Sequence, residues 1–216
     1  MEVVTGSGAI VAVKYDGGIL LASDMGICYG SMYKFANVSH FEILNSGAVI
    51  GATGEFADFQ ALLDIVKATL LEEQCRRFGG QLTPKEIHTY IKRIMYQRRS
   101  NMKPFAIRVV LAGKNPDNSL YLGVTDPYGT TWEDDVICTG YSNHLKGMQL
   151  DKTAKKSKDE VRDAITQSFR ALYARLSTMN GPVEFVDVSN SGIAKEEPVR
   201  IEANWEMIEE VYPNAI

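Results

Sequence analysis

Two short apolar runs, residues 10–15 and 19–23, are rich in β-branched and small side chains and flank Asp16-Gly17-Gly18, a pattern that predicts a β-hairpin. A second pair, residues 41–44 and 48–52, flanks Asn45-Ser46-Gly47 and predicts two more short strands. The period then lengthens. Phe56, Phe59, Leu63, Val66 and Leu70 recur every three or four residues, the stripe of an amphipathic helix that Gly79-Gly80 should stop. Thr83-Pro84-Lys85-Glu86 opens the next helix. Its threonine and glutamate form a capping box, and a proline at the first helical position loses nothing by lacking an N–H. Ile87, Tyr90, Ile91, Ile94 and Met95 supply the inward face of that helix.

Strand character returns at residues 107–112, 120–125 and 132–139, separated by Asn115-Pro116-Asp117 and Pro127-Tyr128-Gly129. Ser157-Lys158-Asp159-Glu160 is a second capping box, leading a helix with Val161, Ile165, Phe169 and Leu172 inward; a shorter helix is expected just before it, near residues 143–150. Strands at residues 183–188 and 193–201 flank Asn190-Ser191-Gly192. Hairpins favour antiparallel sheets, and each helical stripe needs a sheet face to cover. The expected fold class is therefore α+β, two antiparallel sheets between helix pairs in αββα order, although a single sheet with helices on one face meets the same pattern. Residues 1–203 read as one domain. Residues 204–216 read as a tail that docks on something, with Trp205, Ile208, Val211 and Tyr212 at helical spacing before Pro213.

A length of 216 residues suits one substantial domain, and 45% hydrophobic with 23% charged residues is the composition of a soluble globular chain. The net charge of -4 argues against a general nucleic-acid binder, which concentrates positive charge. Cys28, Cys75 and Cys138 are odd in number and contain no CxxC pair, so neither a disulfide framework nor a zinc site is expected and a reducing compartment is. Glu2 stands where a secretion signal needs positive charge, and no apolar run is long enough to span a bilayer, so no membrane association is expected.

Candidate chemistry is sparse. His40, His88 and His144 share no ligand spacing, so no metal is expected, and Gly6-Ser7-Gly8 precedes a strand where a phosphate cradle needs a helix. No cofactor is expected. Arg98, Arg99 and Lys103 read as a helix end or a contact between subunits in preference to a phosphate site, because cations are stabilised at a helix C-terminus. Lys152, Lys155, Lys156 and Lys158 read as a solvated face. What remains is the group of hydroxyls at Thr5 and Ser7.

The hairpin ending in Asp24, followed by Tyr29-Gly30-Ser31 and by GATGEFADFQ at residues 51–60, resembles the β-type subunits of the 20S proteasome. The resemblance implies the N-terminal nucleophile hydrolase fold, which is an αββα sandwich. MYQRRSNMKP (residues 95–104), ICTGYSNHL (137–145) and EANWEM (202–207) are similar to the seventh β position, although Asn101 and Lys103 stand where that subfamily usually has the two exchanged. Neighbouring β subunits, the α ring, and the opposite β ring reached through the C-terminal tail are the partners this implies, in cytoplasm and nucleus.

In active β subunits an N-terminal threonine, freed by removal of a propeptide, attacks the peptide carbonyl while its own α-amine serves as or relays to the base. A lysine and two aspartates support it. In the register set by Lys14 and Asp24, the nucleophile position falls on Gly8, the lysine on His40 and the second aspartate on or near Leu176. Only Asp24 keeps its role-bearing group. Ser7 needs a one-residue slip, which turns a strand side chain to the other face, and Thr5 follows Val4 where the cleavage site needs glycine. With Met1 as the first residue, no propeptide is expected to have been removed. The expected function is a non-catalytic structural subunit. The alternatives are an active amidohydrolase using Ser7 or Thr5 after processing, and a free-standing homo-oligomer of the same fold.

Overall fold

The computed structural model describes residues 5–145, 150, 154–176 and 178–202. Gly17, at φ 102°, turns the first hairpin, joining β2 (Ala9–Tyr15) to β3 (Gly18–Asp24) in a register that pairs Ile10 with Ser23. With β11 (Val136–Gly140), β12 (Pro182–Ser189), β13 (Gly192–Lys195) and β14 (Val199–Arg200) they build a six-stranded antiparallel sheet. The second sheet has eight strands, also antiparallel: β1 (Thr5–Ser7), β4 (Ile27–Tyr29), β5 (Met32–Phe35), β6 (Phe41–Ile43), β7 (Ala48–Glu55), β8 (Ile107–Lys114), β9 (Leu120–Thr125) and β10 (Thr131–Glu133). Two sheets, not one, carry the fold.

Three apolar layers hold it together. Ile10, Ala12, Ile19 and Leu21 of the six-stranded sheet meet Val49, Val110, Leu122 and Val124 of the eight-stranded one. The alternate residues Ala9, Val11, Val13, Leu20 and Ala22 turn the other way, onto α3 (Lys158–Arg175) through its Val161, Ile165, Phe169 and Leu172. Burial on both faces is why these strands are apolar without alternation. The outer face of the eight-stranded sheet is covered by α1 (Phe56–Arg76) and α2 (Pro84–Ser100). The layers run in αββα order, and the fold class is α+β.

Both capping boxes form. Thr83 accepts the Glu86 N–H and Ser157 the Glu160 N–H, and each glutamate accepts the N–H of its cap. Along α1 it is Leu62 that is fully buried, with Leu63 only partly so, and the helix ends on left-handed Phe78 and Gly79. The stretch 132–139 is not one strand. It ends as β10 in one sheet and restarts as β11 in the other, with Asp134 and Asp135 at the crossing. Two adjacent carboxylates have no place in an apolar layer, and Asp135 is held at the crossing by Lys14. The Lys14 N–H donates to the Asp135 carbonyl at 2.8 Å, and the ammonium lies 3.1 Å from its carboxylate. The stretch 193–201 is likewise broken near Pro198, which cannot donate to the ladder, although both pieces pair with β12. A 3-10 turn occupies Tyr141–Leu145; most of the helix expected near 143–150, and the tail 204–216, lie outside the described residues.

Candidate functional site

The chain changes sheets at Gly8. Residues 5–7 form β1, paired on one side with β4 and on the other with Gly54 and Glu55 of β7, and Ala9 begins β2. The hairpin register puts the end of β3 beside this crossing, so the Asp24 carboxylate accepts the Ala9 N–H at 2.8 Å. On the far side the Gly8 carbonyl accepts the Tyr141 N–H, at 2.8 Å. Gly140, at φ 65°, has no room for a Cβ, which would lie on the Gly8 carbonyl oxygen. A Cβ on Gly8 itself would sit 3.1 Å from the Met179 side chain and 3.2 Å from the second Asp24 oxygen.

This crossing forms one wall of a cleft of about 720 Å³, lined also by Thr53, Arg108, Cys28 and His144. Six of its residues are glycines, Gly6, Gly8, Gly26, Gly30, Gly54 and Gly140, so much of the lining is bare backbone. Burial pushes the Asp24 carboxyl up to about 7, against the opposing effect of N–H groups from Ala9 and Gly26, with Glu184 adding to the rise. Burial likewise raises the Cys28 thiol, which donates to the Thr178 carbonyl at 3.0 Å and so is no activated nucleophile.

Gly8 and Asp24 thus come together; His40 meets Asp24 only at its backbone, and Leu176 stands apart from both. His40 is fully buried behind Asp24, its Nδ1 2.7 Å from the Asp24 backbone oxygen and its ring edge-on to Phe56. A carbonyl partner requires that nitrogen to carry the proton, and burial depresses the imidazole below its usual range. Its Nε2 has no hydrogen-bond partner among the described residues. Leu176 caps α3 and packs against the core of the six-stranded sheet; the residue that reaches Gly8 is Met179, three positions on. Thr5 and Ser7 are placed by their strand pairing alone. Lys14 is spent on Asp135.

One buried group went unnoticed in the sequence. Glu184 is wholly inaccessible, accepts the His40 N–H at 2.8 Å and the Ser39 hydroxyl, and pairs with Lys195 at 2.9 Å. A charge inside the run Val183-Glu184-Phe185-Val186 was the available signal, because a buried acid must be paired. Among the described residues no cluster of three or more histidine, cysteine or acidic side chains is disposed to hold a metal.

Residues 3–188 match the family model for the proteasome subunit. Proteasome subunit beta type-4 of Xenopus laevis is 34% identical over 208 residues, spanning 94% of this chain and 85% of the relative. The protein of the same name from Arabidopsis thaliana is 33% identical over 205 residues, 94% and 82% of the two chains. Proteasome subunit beta type-7 of Saccharomyces cerevisiae is 26% identical over 223 residues, 97% and 83%.

Proposed function

Because this chain belongs to the proteasome subunit family, we propose that it is a non-catalytic β-type subunit of the 20S core particle, a wall element of the proteolytic chamber. The observation that carries this reading is Gly8. At the point where the chain crosses between sheets it offers no hydroxyl, and Met179 and Asp24 close on the space a side chain would need. His40 in place of a lysine and Leu176 in place of a second aspartate point the same way, since neither is disposed to hold an amine or assist an attack. Asp24 keeps a structural task, tying the start of β2 to the end of β3.

The alternative, an amidohydrolase using Ser7 or Thr5, is the weaker reading. Both residues lie within β1, bonded into the sheet between neighbouring strands. The proposed partners are neighbouring β subunits and the α ring, in cytoplasm and nucleus. Residues 1–203 are the folded domain, and residues 204–216 the tail that crosses to the opposite ring. Removing residues 204–216 should leave a soluble chain with an unchanged circular-dichroism spectrum whose incorporation into core particles falls about tenfold, equivalent to about 1.4 kcal/mol of binding. Equal incorporation of the shortened and full-length chains in competition would remove the tail from this picture.

A further inference from the structure

Arg108 is a charge at the end of an apolar row. Along β8 the side chains of Val110 and Ala112 face the six-stranded sheet, and strand alternation carries Arg108 to the same face. Its cross-strand partner is Thr53 of β7, so the two side chains stand together where the inter-sheet layer ends, and both line the cleft beside Gly8. Across the gap, a Cβ on Gly140 would lie 3.4 Å from the Thr53 methyl group. Arg108 is half-buried, and its Nε is closed off from solvent with no hydrogen-bond partner among the described residues. Nor does its guanidinium form an ion pair with any of them or lie over one of their rings.

A shielded guanidinium N–H without an acceptor costs free energy, and the acids around the cleft do not offset it. Asp24 is the only acid among the described residues that line the cleft. It is committed to the N–H groups of Ala9 and Gly26, and burial raises its carboxyl to about 7, which weakens its negative charge near neutrality. Asp58 and Asp126 adjoin the lining residues Ala106 and Pro127 and are likewise engaged. Asp58 accepts the Ala106 N–H at 2.7 Å, and Asp126 accepts those of Tyr128 and Thr130. The acceptor that Arg108 calls for has to arrive with a ligand.

The guanidinium fork matches a carboxylate, which it meets through two parallel N–H···O bonds. A carboxylate alone would leave most of the cleft's 720 Å³ unfilled, a volume within the range of sites that enclose larger organic ligands. Its glycines let a ligand backbone come close to the wall, and Ile107, Pro127 and Met179 add apolar lining. We propose that this cleft is a carboxylate-binding site anchored on Arg108, and that its ligand is the C-terminal end of an extended peptide, held there without being cut. The site is set by the cleft alone and holds for this chain inside or outside a ring.

Fluorescence anisotropy of the full chain tests it, with N-terminally labelled tetra-alanine as the probe, made once with a free C-terminal carboxylate and once as the C-terminal amide. The free acid should bind about tenfold more tightly than the amide. Arg108→Gln keeps a polar side chain without the charge and should erase that preference, while its melting temperature matches or exceeds wild type because a shielded cation has been removed. Arg108→Lys keeps the charge but not the fork, and should retain only part of the preference. Sodium acetate separates the two sources of a carboxylate: it should displace the peptide only at about a hundredfold above the peptide's own Kd. Displacement by acetate near that Kd overturns the peptide as ligand. Equal binding of acid and amide, binding of neither, an undiminished preference in Arg108→Gln, or tighter binding of inorganic phosphate than of the free acid overturns the carboxylate site itself.

Discussion

Threonine at position 8 is expected to restore no peptidase activity and to weaken the fold. The new Cβ would lie 3.1 Å from Met179, which is itself buried, and 3.2 Å from an Asp24 carboxylate fixed by the Ala9 N–H, so at least one neighbour must move. Overpacking of this kind costs about 1–3 kcal/mol. The chemistry fails for separate reasons. A hydroxyl within the chain has an amide nitrogen beside it, not an amine, and His40 is tied to a backbone carbonyl and held neutral by burial. A threonine-directed epoxyketone should therefore label neither wild type nor Gly8→Thr, and the variant should melt several degrees lower. A covalent adduct on residue 8 of the variant, or on Ser7 or Thr5 of wild type, would revive the amidohydrolase reading.

The second large effect is the pH dependence that Asp24 imposes. Its carboxyl titrates at about 7 in the folded chain, far above the ordinary range near 4, because burial disfavours the charged form. Below about pH 4 the group is protonated in both states and contributes nothing. Between about pH 4 and 7 the folded state holds a proton that the unfolded state has released, so stability falls as pH rises. Above about pH 7 the penalty is complete, a few kcal/mol at 1.36 kcal/mol per unit. Other carboxylates, Asp135 and Glu196 among them, are held below their usual range and act in the opposite direction, so the comparison must be between variants. Asp24→Asn keeps an oxygen for the Ala9 N–H without the charge, and in urea unfolding should gain on wild type from pH 5 to about pH 7 and hold that gain at pH 8. Asp24→Ala leaves that buried N–H unpaired and should lose about 1–3 kcal/mol relative to Asn at either pH. If Asp24→Asn is the less stable protein at pH 8, the ionised carboxylate is stabilising and burial does not dominate its environment.

What could be read in the sequence was local. Asp16-Gly17 and the Thr83 and Ser157 capping boxes form because their hydrogen bonds close within four residues, whatever surrounds them. The hairpin register alone brings Asp24 beside Ala9, so that half of the site followed from a turn. The crossing at Asp134 and Asp135 did not, because strand alternation tells which face a residue takes and not which sheet it joins. Leu62 and Leu63 lie one position, about 100° of helix rotation, apart, and contact with the sheet shows which of the two is buried. The approach of Met179 to Gly8, with Leu176 in the core instead, and the burial of Glu184 against His40 depend on contacts between residues more than a hundred positions apart. No spacing rule carries those.

Whether this chain is a structural member of a proteasome ring is decided by native mass spectrometry of material captured through a tag on it under mild salt. A single large hetero-oligomer containing this chain together with α-type and other β-type proteasome subunits, at an intact mass for this chain that includes no inhibitor adduct after epoxyketone treatment, is the expected spectrum. A stable lone homo-oligomer, or an adducted chain, would contradict it.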